Sequence, residues 1–240
     1  MASPSVGEEQ VEEILGADLA GLDLARRHDE AVRRLIVCQR TSAAVLRRAG
    51  RGYGAWRAEQ AALRGQLLRD EPRAVARMFG FVRAVRETSG LPAALGRALE
   101  GAMSLLGADL GNIQSCATGR TLRVASHCGF SDDFLAHFAQ VEDGSSACGR
   151  AARNSAQVVI ADVAQDPRFE PHQAIAMASG FRAVQSTPIL DRDGSLLGVL
   201  STHFREPHVP ASRDLLLVSW YGDQLGDLVR ATLTPGAGQA

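Results

Sequence analysis

The sequence contains no lysine; all 26 of its basic side chains are arginine. A GC-rich coding sequence accounts for this as readily as chemistry does, so no ligand class follows from it. No run of about 18 uncharged apolar residues occurs, which excludes a helical membrane span. The opening stretch, MASPSVGEEQVEEIL, is acidic and has no apolar core, so it does not read as a secretory signal, and the expected location is the cytoplasm. The four cysteines (Cys38, Cys116, Cys128 and Cys148) form no CxxC pair and no cluster with histidine at metal-ligand spacing. Free thiols and no metal centre are the expectation.

What is present is ordinary in amount and uneven in placement. The 240 residues, 45% apolar and 22% charged, allow one sizeable domain with an extension, or two small domains. Residues 1–23 carry six acids and no arginine; residues 24–90 carry 15 arginines against six acids; residues 91–240 carry 11 against 15. This asymmetry points to two functional halves. Residues 1–87 read as an acidic tail followed by arginine-rich helices. Tyr53, Trp56, Gln60, Leu63 and Leu67 recur at alternating spacings of three and four, a heptad-like seam. Val75, Met78, Phe79, Val82 and Val85 form a further stripe. Arg26, Arg33, Arg40 and Arg47 share one helical face. With no helix-turn-helix or zinc motif beside it, that face reads as solvated rather than as a nucleic-acid site.

From residue 88 the grammar changes to strands with helices between and at both ends. Gly90 and Pro92 mark a helix boundary. LPAALGRALEGAMSLLG follows as an amphipathic helix. ADLGNIQSCATGRTLRVASHCGF reads as strand, ATGR turn, strand. SDDFLAHFAQV has a serine cap and two acids suited to a helix start. SSACGRAARNS is another short helix, and QVVIADV a strand. A loop and a helix stopped by Gly180 precede FRAVQSTPI and SLLGVLSTHF, two strands joined by LDRDG. The helix SRDLLLVSWYGDQLGDLVRATL closes the domain at about residue 232, leaving a flexible tail over 233–240. The expected class is α+β on an antiparallel sheet, preceded by an all-α extension.

GNIQSC, GFSDDFLAHF, GSSACGRAARNSAQVVIADVAQDPRF, GFRAVQSTPILDRDGSLLGVLSTHF and the closing helix, in this order and spacing, resemble the GAF domain family over about residues 88–232. The resemblance implies terminal helices on one face of the sheet and a small-molecule pocket on the other, under the middle helices and loops. Such domains commonly sense nucleotides, tetrapyrroles, gases or metabolites, and many dimerise through their terminal helices. One enzymatic branch, the free methionine-(R)-sulfoxide reductases, has a GVCG-like word, and here SACG puts Cys148 in that slot. The rest of that site is missing. No cysteine lies around Ile175 to Ala178, and Ser201 and His203 replace the two acids of a GVLDIDS strand. Neither the cysteine–histidine pair of the bilin-binding branch nor an NKFDE-like cyclic-nucleotide signature occurs. Haem needs one well-placed histidine, for which His137 and His172 are the candidates, though no motif indicates it.

Strand alternation puts Leu197, Val199, Ser201 and His203 on one face, and the resemblance turns that face to the pocket. The candidate ligand residues are Cys148, Ser201 and His203, with Gln114, Cys128, Phe134, Phe138, Gln185 and Thr187; Phe130 and Phe181 are further candidate walls. Cys148 begins a helix near Arg150, where a thiol is activated; its other reading is a small buried core residue. Three functions compete. The first is a sensory or regulatory protein that binds a small molecule or redox signal and transmits it through its helices to a dimer mate or partner protein. The second is a cysteine-dependent enzyme using Cys148 with His203 or His127. The third is an arginine-rich dimeric adaptor. A sensor is expected to hold an enclosed cavity of about 300 Å³ or more; a filled one favours the adaptor.

Overall fold

The computed structural model describes residue 30 and residues 52–116, 121–142 and 144–233. The Arg26–Arg47 stripe, Cys38, the ATGR turn and the tail after residue 233 lie outside the described residues. The chain divides into two compact units between Pro72 and Arg73. In the first, helix α1 spans Gly52–Asp70. Its buried positions include Ala58, Ala62, Gly65 and Leu67, whereas Leu63 is exposed. Of the expected seam Leu67 is buried and Leu63 is not, and the small residues Ala58, Ala62 and Gly65 are buried outside it.

The second unit begins in α2 (Pro72–Arg86), which buries Val75, Met78, Val82 and Val85 as the spacing predicts. Phe79 stays partly exposed and meets Trp220 edge-on, with centroids 5.3 Å apart. Helix α3 (Leu91–Leu106) starts at Gly90 with proline in its first turn. Then come β1 (Leu110–Cys116), β2 (Leu122–Cys128), α4 (Asp132–His137), α5 (Ala147–Asn154) and β3 (Val158–Ile160). A 3₁₀ turn (Pro167–His172), α6 (Gln173–Ser179), β4 (Ala183–Leu190), β5 (Leu196–Phe204) and α7 (Ser212–Leu233) complete the order. Gly180 ends α6 in the left-handed conformation, φ 73°, that glycine adopts without strain. Strand β3 is shorter than QVVIADV implied. After Ile160 the chain leaves the sheet, where Val163 donates its N–H to the Arg182 carbonyl.

The five strands form one antiparallel sheet in the order β2-β1-β5-β4-β3. Every residue of β4 is buried, because this strand is covered on both faces. On one face lie α3 and α7, drawn close by glycines and a buried tyrosine. The Tyr221 hydroxyl donates to the Ala98 carbonyl at 3.0 Å, and its burial pushes its pKa up. The other face carries the main apolar cluster, in which Phe130, Phe134, Phe138, Phe169 and Phe181 pack with Leu110, Leu122, Val184 and Val199. Two crossed ion pairs tie the β4–β5 turn to α7: Arg192 with Asp227 at 3.0 Å and Arg230 with Asp191 at 2.9 Å. Among the described residues no helix is long and apolar enough to cross a membrane.

A Cβ at Gly226 would collide with the Leu190 carbonyl oxygen, whereas one at Gly80, in α2, would meet open space. Gly226→Ala is expected to destabilise by about 1–3 kcal/mol through overpacking. Gly80→Ala is expected to stabilise by about 0.5–1 kcal/mol through helix propensity. Urea unfolding of both variants checks the opposite signs.

Candidate functional site

The register of the strands builds the floor of the site. Directly paired residues of antiparallel strands share a face. Asn112 in β1 stands opposite Ser201 in β5, and Ser201 stands opposite Ser186 in β4. His203, two residues along β5, stands between Leu110 and Val184. Asn112, Ser186, Ser201 and His203 are all buried. With Ser146, Ala147, Cys148, Phe134, Phe138, Phe169, Phe181 and Val184 they line one cavity. Its free volume is ≈ 20 Å³, room for about one water molecule. The enclosed space of about 300 Å³ expected of a sensor is therefore absent in this conformation. Phenyl rings occupy it.

The polar atoms of the floor are unevenly matched. Ser186 and Ser201 share a hydrogen bond at 2.8 Å. Among the described residues, Asn112 Oδ1 and His203 Nδ1 have no partner. A buried polar atom left in this state costs about 1–3 kcal/mol. The His203 ring sits edge-on against Phe130, Phe134 and Phe181, at 4.9, 6.0 and 4.7 Å between centroids. Burial among those rings lowers its pKa to about 3, because charging the imidazole there costs hydration.

Helix α5 supplies the opposite wall. Ser146 caps it, accepting the Gly149 N–H at 3.1 Å. Cys148 Sγ is buried and lies 3.3 Å from Ser146 Oγ. Arg150 donates to Asp166 at 2.8 Å, joining α5 to the start of the 3₁₀ turn. Burial works to raise the Asp166 pKa, but hydrogen bonds from Arg150 and from the backbone of Arg168 and Phe169 outweigh it and hold the carboxyl below its usual range. Beside the cavity, His137 Nε2 and His172 Nδ1 are 2.8 Å apart, and His172 Nε2 is 2.8 Å from Ser145 Oγ. The His172 ring packs on Phe138 and Phe169, two of the lining rings.

Of the residues expected from the sequence, the structure brings Cys148, Phe134, Phe138, Ser201 and His203 to this cavity. Gln114 lies on the same face of β1, opposite Val199, fully buried with both carboxamide atoms unpaired, but outside the lining. Gln185 and Thr187 are corrections. They pair with Thr202 and Leu200 on the helix side of the sheet, where Gln157 reaches both Thr187 and the Leu215 carbonyl in α7. Cys128 and His127 are exposed near the end of the edge strand β2, so neither reaches the cavity. Phe181 lines the cavity, and Phe130 packs against Phe134 and Phe181 beside it. The sequence reading missed Asn112, Ser146, Ala147, Phe169, Val184 and Ser186. Asn112 and Ser186 carry a recoverable signal, each being polar within an apolar strand.

Burial leaves His203 a poor partner for activating the Cys148 thiol. A thiol is activated by a base titrating near neutrality, whereas His203 titrates far below it. Neither candidate haem ligand is poised for an iron: His137 Nε2 and His172 Nδ1 face one another, and His172 Nε2 faces Ser145 Oγ.

His203 has a sharp pH consequence. The unfolded chain takes up its proton near pH 6.5, the native chain near pH 3. Between these values the unfolded state holds more protons, so stability falls as pH falls, by up to about 1.4 kcal/mol per unit. Urea midpoints at pH 7 and pH 5 are expected to differ more for the wild type than for His203→Leu; equal slopes would place the imidazole in water.

Comparison with known proteins fits the geometry. Over 76 residues, 32% of its length, the chain is 32% identical to the methyl sulfide methyltransferase-associated sensor of Methanosarcina acetivorans, and it spans 8% of that protein. The fold is similar to the GAF domain of a phosphoenolpyruvate-protein phosphotransferase from Coxiella burnetii, at TM-score 0.58 and 17% identity, covering 67% of this chain and 95% of that one. It is also similar to free methionine-R-sulfoxide reductase from Neisseria meningitidis, at TM-score 0.56 and 21% identity, covering 67% and 92%. The sequence pattern of the GAF domain matches residues 9–227, reaching further toward the N-terminus than the motifs implied. The chain belongs to the GAF domain family.

Proposed function

We propose that this protein is a sensory or regulatory module in which a small molecule enters the cavity between the sheet and α5 and shifts the packing of the terminal helices. The observation that carries this reading is the pair of unpaired polar atoms, Asn112 Oδ1 and His203 Nδ1, in a cavity lined by phenyl rings. A fold retains such a cost where a ligand redeems it. The sheet offers a short route outward. Ser186 faces the cavity, and Thr187, the next residue, faces α7. A ligand that displaces the floor residues therefore displaces strands on which α7 rests, and any signal equals its differential affinity for the two packings. Transmission to a second copy or a partner protein through those helices completes the proposal. Cys148, buried beside Ser146, serves as a ligand contact. The sensor-named relative supports the same reading.

The adaptor reading has one observation in its favour, the near-filled cavity. The two separate at Asn112. If the carboxamide is there for a ligand, Asn112→Leu removes an unmet acceptor at similar volume. The unliganded protein is then expected to gain about 1 kcal/mol, or roughly 2–4 °C in Tm. A fall in Tm on calorimetry would assign Asn112 to the architecture and favour the adaptor.

A further inference from the structure

The chemistry of the cavity restricts what it accepts. Asn112, Ser201 and Ser186 form a row across three neighbouring strands. Strands lie about 4.8 Å apart, so the row is about 10 Å long, the width of a one- or two-ring aromatic molecule. The row is uncharged, and no aspartate, glutamate or arginine is among the residues that line the cavity. The nearby Arg150, itself outside that lining, pairs with Asp166 through Nη1, while its buried Nη2 has no partner among the described residues. A carboxylate, phosphate or ammonium group would enter without a countercharge in the lining, a costly burial. The unpaired Asn112 Oδ1 accepts and so calls for a donor on the ligand.

The space above the row is taken by the protein itself. Phe134 is buried, and its ring lies face to face with Phe130 at 3.6 Å and 6°, a less favoured arrangement than the offset or edge-on contacts of aromatic rings. Phe134 is carried by α4, a helix of six residues. Benzene-sized guests occupy cavities on the order of 150 Å³, far above the ≈ 20 Å³ present. Truncating or moving one phenyl ring opens space of that order.

We propose, resting on the ligand-pocket reading above, that the site takes a small uncharged aromatic molecule bearing an O–H or N–H donor, of phenol or indole size, and that the Phe134 ring occupies its place in the resting protein. The ligand ring replaces Phe134 against Phe130 and Phe181, and its donor meets Asn112.

The test is isothermal titration calorimetry of the full chain with phenol, benzene and benzoate, in the wild type, Phe134→Ala and Phe134→Ala/Asn112→Leu. Phe134→Ala is expected to bind phenol at least tenfold more tightly than the wild type does. In that variant phenol is expected to exceed benzene about tenfold, the worth of one hydrogen bond, and benzoate to give no binding. Adding Asn112→Leu is expected to bring phenol and benzene level. Benzoate binding as well as phenol, or benzene matching phenol in Phe134→Ala, overturns the ligand class and leaves the pocket reading standing. Silence of all three probes in a variant that melts cooperatively overturns both. If the alanine variant does not fold, Phe134→Leu carries the same series.

Discussion

The structure depends on β4 and β5 being buried on both faces. Such strands have no solvent side on which to place polar residues, so every hydroxyl, carboxamide and imidazole they carry is either bonded across the sheet or left unmet. Ser186 and Ser201 solve this by bonding to each other, and Thr187 by accepting from Gln157. His203, and Asn112 on the adjoining strand β1, do not, and both look into the aromatic cavity. Gln185 and Thr202 are unmet in the same way on the helix side. The location of the site and its cost to stability thus have one cause.

That constraint also explains why the cavity is closed. The phenyl rings fill most of the space above the unmet polar atoms. In the proposed function, opening this nearly full pocket exchanges ring–ring contacts for ring–ligand contacts. The strands that form the floor also bear α7 on their reverse side. There Gly226 approaches the Leu190 carbonyl, and Tyr221 bonds to Ala98. Helices packed this closely follow a shift in the strands rather than absorb it.

Much of the fold was legible because its signals are local. Gly180, the LDRDG turn and the apolar alternation of SLLGVLSTHF set element ends directly, and the closing helix follows its sequence pattern from Ser212 to Leu233. Within β5, period-two alternation put Ser201 and His203 together on one face. Register between strands is a different kind of information. Nothing in AVQSTPIL states that Val184 stands opposite His203, and a shift of one residue exchanges Ser186 for Gln185. That is why Gln185 and Thr187 were assigned to the pocket and Ser186 was not. The partial mismatch in α1 has a related origin: large side chains dominate a periodicity count, while Ala58, Ala62 and Gly65 are buried along with Leu67. Cavity volume is the least legible quantity, because it depends on how five phenylalanine rings pack together.

Trp220 gives the most direct measurement of the central claim, that occupation of the cavity is felt by the terminal helices. It lies on α7 in edge contact with Phe79 of α2. In a Trp56→Phe background its emission reports that contact alone. Titration with phenol is expected to shift the Trp220 spectrum with a midpoint equal to the calorimetric Kd. Saturable binding with an unchanged Trp220 spectrum would contradict the account.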